Sequence, residues 1–155
     1  MSVLETEVTG AKEAVIHLQS YSRHVADFRA LWPDITEAFV AREQLWFGKQ
    51  GEGSWPPLSP DYAAWKSLVH PGKPLLVLSG NLKESLTTPS RAVLAETDHM
   101  LVLGSDDPKA AWHQTGTGRM PARPPLIPTI RLKAAIARLL DLWVEYRPGG
   151  WGQRR

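Results

Sequence analysis

"RAVLAETDHMLVLGS", residues 91–105, decides the fold class, because here the spacing of apolar residues stops being helical. Two short apolar runs, about 91–96 and 100–104, flank Thr97-Asp98-His99 and read as the strands of an antiparallel hairpin. Upstream, "EAVIHLQSY" (13–21) alternates, with Val15, His17 and Gln19 facing one way and Ile16, Leu18 and Ser20 the other. That reads as a further short strand.

The stretches around these two read as helices. From Ser22 to about Phe47, Val25, Phe28, Leu31, Trp32, Ile35, Phe39, Leu45 and Trp46 recur at helical spacing, with Pro33 kinking the run or starting a second helix. "GKQGEGSWPPLSP" (48–60) is a loop. Ser59-Pro60-Asp61 is a helix start, with a capping hydroxyl and proline at the first helical position, and opens "DYAAWKSLV". Ser79-Gly80-Asn81 turns into a short helix, and "DDPKAAWHQTG" is another, begun at Pro108 and ended by Gly116. "TIRLKAAIARLLDLWVEY" is a long amphipathic helix with Ile130, Ile136, Leu139, Leu140, Trp143 and Tyr146 on one face. "RPGGWGQRR" (147–155) reads as a flexible tail. The expected fold is α+β: one domain over residues 1–155, with a small antiparallel sheet packed against a long N-terminal helix and a C-terminal helix.

Composition narrows the function. At 155 residues, 43% of them hydrophobic and 22% charged, the chain suits a single soluble domain. It lacks an apolar run of about 18 residues and a basic-then-apolar leader, so neither a membrane span nor a secretory signal is expected. With no cysteines there are no disulfides or thiolate metal sites, which fits assembly in a reducing cytoplasm. Net charge is only +2, although Arg119, Arg123, Arg131 and Lys133 cluster. A dedicated nucleic-acid binder usually shows a denser basic face.

"HQTGTGRMPARPPL" (113–126) at first suggests a phosphate loop, but it lacks the Gly-Lys-Ser/Thr ending and leads into prolines rather than a helix. The histidines, His17, His24, His70, His99 and His113, form no HExxH pair. His113 reads as a side chain bonded to nearby backbone. Ser54, Ser59, Ser79 and Ser85 lie in no GxSxG elbow, and Asp106-Asp107 reads as a solvated turn. No catalytic residue, cofactor or metal is expected, and the chain does not read as an enzyme. Trp32, Trp46, Trp65, Trp112 and Trp143 fall at apolar helical positions and read as core. Trp55 and Trp151 sit among glycines and prolines and read as exposed or interfacial. Arg123, held between prolines, is a candidate for a two-pronged hydrogen-bonded partner.

Three separated blocks then add up: "GSWPPLSPDYAAWK" (53–66), "LLVLSGNLKESLT" (75–87) and "AAWHQTGTGRMPARPPL" (110–126). Together they resemble the phage virion morphogenesis family, the tail-completion or minor tail proteins of the head-to-tail neck. The matching positions are Gly53, Trp55, Pro57, Leu58 and Lys66; Ser79, Gly80, Leu82 and Ser85; and His113, Gln114, Gly116, Pro121, Arg123, Pro124 and Leu126. The resemblance spans roughly residues 40–140.

It implies a structural virion protein, assembled in the bacterial cytoplasm, that completes the tail and enables its joining to the DNA-filled head. The implied partners are further copies of itself in a ring, most simply a hexamer, and neighbouring neck and tail proteins: terminator, stopper or adaptor, and tail tube. Genomic DNA would pass through the channel without sequence-specific binding, and no membrane is involved. The expected assembly interface is Trp55, Pro57, Leu58, His113, Gln114, Met120, Pro121, Arg123, Pro124 and Leu126. A stiff proline arm suits contact with a neighbouring subunit; equally, it is a rigid connection to the last helix. Alternatives are a tail terminator or head-stopper subunit, or, in another class, a small DNA-binding regulatory protein.

Overall fold

The computed structural model describes residues 11–145. Along the chain come α1 (Ala11–Val25), a 3-10 turn (Arg29–Leu31), α2 (Trp32–Gly48), a second 3-10 turn (Gly51–Gly53), α3 (Pro60–Val69) and α4 (Asn81–Thr87). They are followed by α5 (Pro89–Ala92), β1 (Val93–Glu96), β2 (Leu101–Leu103), α6 (Lys109–Thr115) and α7 (Ile130–Glu145). The class is α+β, as expected.

The expected strand at 13–21 is corrected: these residues lie inside α1. Alternation over so short a stretch does not exclude helical spacing, and Val15, Leu18, Ser22 and Val25 also recur at three and four. The helical run from Ser22 is broken as well. Asp27 accepts the backbone N–H of Arg29 at 2.9 Å and pairs with its guanidinium, a local bond that competes with the helix. Pro33 then sits in the first turn of α2, where its missing donor costs nothing.

α2 is the central element, against which α4, α5 and α7 pack. One core cluster joins Phe39, Phe47, Trp46, Trp55, Leu82, Leu86, Ala92 and Leu132; a second joins Leu31, Trp32 and Ile35 with Phe28, Leu139 and Trp143 at its edge. On α7, Ile136, Leu139, Leu140 and Trp143 face these clusters as read. Leu132 does so too, whereas Ile130 is 86% exposed, which moves the start of the apolar stripe by two residues. Tyr146 and the 147–155 tail, with Trp151, lie outside the described residues.

The hairpin pairs Val93 with Leu103 and Glu96 with Leu101, with an irregularity between Val93 and Ala95. A lone two-stranded ribbon is marginal in water. This one is held by the start of α2: the Trp32 indole N–H donates to the Thr97 carbonyl (2.6 Å), and the Phe28 N–H donates to that of Asp98 (2.8 Å).

Candidate functional site

The loop leading into α3 and the loop after α6 are tied together by an arginine. Arg123 is 4% exposed, and its Nε and Nη2 donate to the carbonyls of Pro56 (2.7 Å) and Pro57 (2.6 Å). Consecutive prolines present carbonyls with no competing N–H of their own, and the planar guanidinium reaches both. The reading of Arg123 as a two-pronged anchor therefore holds, with backbone carbonyls as its partners.

Behind it, the indole N–H groups of Trp55 (3.0 Å) and Trp46 (3.2 Å) both donate to the Pro124 carbonyl. The Trp55 ring meets Trp46 and Phe47 edge-on. Trp55 is thus core, not the exposed residue expected. Its glycine- and proline-rich surroundings are a loop wrapped over the core, and Gly51 lets it close: a Cβ there would lie 2.6 Å from the Trp55 ring. Trp65 and Trp112 are corrected the other way, at 43% and 56% exposed.

The 113–126 segment folds back on α6 rather than reaching outward. Gly116 adopts φ +76, and an added Cβ would strike the backbone nitrogen of Ala122 at 2.8 Å. The His113 carbonyl takes the Arg123 N–H at 2.8 Å. The Gln114 side chain donates to the Leu126 carbonyl (2.8 Å) and accepts the Leu126 N–H (3.3 Å), as a paired strand would. Pro125 is fully buried. Most of this stretch is pinned to its own chain.

What these ties create is a cleft of about 820 Å³. It brings together Pro57 and Leu58 from the first block, Gly80 and Leu82 from the second, and His113, Met120, Pro121 and Arg123 from the third. Trp55, Gln114, Pro124 and Leu126 do not line it; Trp55 bonds Pro124 and Gln114 bonds Leu126. Gly80 has φ +104, the left-handed conformation its place before α4 requires, and Ser85 below it is fully buried and bonded to Ser105 at 2.5 Å.

The charge is lopsided. Lys66, Lys109, Arg119 and Arg123 line the cleft against one carboxylate, Asp107. Lys66 is 6% exposed, and its Nζ donates to the Pro74 carbonyl at 2.6 Å. Burial lowers the pKa of both Lys66 and Arg123. Burial, and then the Arg123 charge, hold the His113 pKa below its ordinary value. Its Nδ1 is buried and unbonded among the described residues, contrary to the backbone-bonded reading. Ser59 makes no capping bond either.

Sequence reasoning missed Lys66, Tyr62, Leu76 and Lys109 as cleft residues. Lys66 did stand among the matching positions of the first block, and that was its only signal. Among the described residues no hydroxyl bonds the His113 ring, no three His, Asp or Glu side chains gather as a metal site, and no helix is long and apolar enough to cross a membrane. A family model, that of the phage virion morphogenesis family, matches residues 7–139. No curated protein and no solved structure matches the chain.

Proposed function

Because the chain belongs to the phage virion morphogenesis family, we propose that it is a structural subunit of the head-to-tail interface, completing the tail and enabling its joining to the filled head. The observation that carries this reading is the meeting of three distant sequence blocks on one rigid cleft, built from carbonyl anchors rather than from a nucleophile and its base. Such a surface presents fixed contacts to another protein; nothing in it needs turnover. The subunit acts as a homo-oligomeric ring, a hexamer in the simplest case, since closed cyclic symmetry places two different complementary patches on each copy. It acts non-enzymatically, and its neighbours are the terminator, stopper and tube proteins of the tail.

The test is complementation in extract. Phage lacking the protein should accumulate filled heads and full-length tails that do not join, and purified protein should restore infectivity in proportion to the copies added. Normal particles without it, or restoration by trace amounts, would refute the reading.

A further inference from the structure

α3 is inverted for a surface helix. Its one buried residue is Lys66, while Leu68 (83% exposed), Val69 (52%), Trp65 (43%) and Tyr62 (41%) face solvent. The Tyr62 and Trp65 rings stack at 5.3 Å, and Tyr62 also lines the cleft, so the aromatic patch runs into it. An exposed apolar patch beside a polar recess is the usual form of a protein-docking surface.

Two further features point the same way. No carboxylate among the described residues pairs with Lys66 or Arg123, and burying cations on carbonyls alone leaves much of their lost hydration unrecovered. Leu76, in the same lining, holds φ +58, a conformation that is costly for a branched side chain and that tends to cluster at binding sites.

We propose that this cleft receives an acidic, part-apolar peptide segment of a neighbouring virion protein. Its carboxylate is drawn among Lys66, Lys109 and Arg119, and its apolar side chains lie on Tyr62 and Trp65. This rests on the assembly reading above and supplies the chemistry of the partner. A peptide is favoured over a nucleic-acid strand because the cations share the cleft with apolar side chains and a carboxylate, which suit a mixed acidic and apolar segment better than a run of phosphates. Leu78, Met120 and Asp107 share the lining with them, so the cleft is partly apolar and carries a carboxylate of its own.

The experiment uses the purified full chain and an immobilised peptide library in which each position is varied in turn, with oligothymidylate as a separate arm. The expected result is selection for Asp or Glu at one or two positions flanked by apolar residues. Replacing the acid by its amide should weaken binding about tenfold or more, the loss of one charge-assisted contact. Lys66→Met should abolish the acid preference. Where that variant melts early, the exposed pair Lys109→Ala and Arg119→Ala should reduce it without unfolding, and Tyr62→Ala should erase the apolar preference. No acid preference, or one unchanged in these variants, overturns the proposal. So does tighter binding of oligothymidylate lost in the same variants, which would assign the cleft to nucleic acid. The assay contains no phage particle, so it can fail while complementation succeeds, and the two readings fall separately.

Discussion

Arg123→Ala removes the guanidinium donors to the Pro56 and Pro57 carbonyls, and should cost about 1–3 kcal/mol in urea unfolding. Arg123→Lys should recover less than half of that, because an ammonium cannot hold both carbonyls in the guanidinium's plane. Equal stability of all three proteins would show that the anchor contributes nothing. Glu43, outside the cleft, contributes a pH response of its own. It is 1% exposed; one oxygen bonds Arg42 at 2.6 Å, and the other is buried with no partner among the described residues. Burial, against the opposing pull of Arg42, raises its pKa from 4.5 to about 7. Between those values the folded chain binds the extra proton, so stability should fall as pH rises from about 4.5 to 7, by on the order of 3 kcal/mol in all. His113, its pKa held down by burial, works in the opposite sense, weakening the fold as pH drops below its ordinary 6.5. The difference between wild type and Glu43→Gln isolates Glu43: the variant should be the more stable at pH 8, with the gap narrowing toward pH 5 and closing below about 4.5. A constant gap would sink the assignment. At this scale the sequence was half legible. Arg123 stood out because flanking prolines limit its freedom; Trp55 was misread because nothing near it shows that its partner carbonyl lies 69 residues away.

Hairpin and helices separate what spacing can reveal from what it cannot. The turn of the hairpin and the glycine before α4 were readable, since backbone conformation restricts residue type locally. The α1 stretch was not, because two periods fit so short a run. Lys66 was invisible as a cleft residue, for a lysine in a short helix ordinarily snorkels to solvent. The hairpin depends on α2, so Trp32→Phe, which keeps an aromatic ring but removes the indole N–H to Thr97 and some buried volume, should cost about 1–3 kcal/mol. Amide exchange should then quicken at 93–103; protection equal to wild type would show the hairpin to be self-sufficient. For α3 the expectation is reversed. Leu68→Ser and Val69→Ser should shift stability by no more than about 0.5 kcal/mol, since both side chains already face water. A large loss in thermal melts would mean these residues pack against something in the isolated protein.

As a whole, the described residues combine a core closed around α2 with a surface, at α3 and the cleft, where apolar and cationic groups stand together. In the dose experiment, joining should rise with added protein and saturate at a fixed copy number per particle. Leu68→Ser and Lys109→Ala proteins, though as stable as wild type, should require more protein for the same yield. Unaltered dose curves would place the working surface elsewhere.

Two indoles converging on the Pro124 carbonyl also make a built-in reporter. Trp46 and Trp55 lie 6.1 Å apart with ring planes at 87°, a fixed asymmetric pair of chromophores. Their near-ultraviolet dichroism depends on that geometry, while the far-ultraviolet signal follows the helices. Release of the 113–126 loop would therefore dim the first signal and spare the second, so a spectrometer can tell whether docking a partner loosens this loop or leaves it shut.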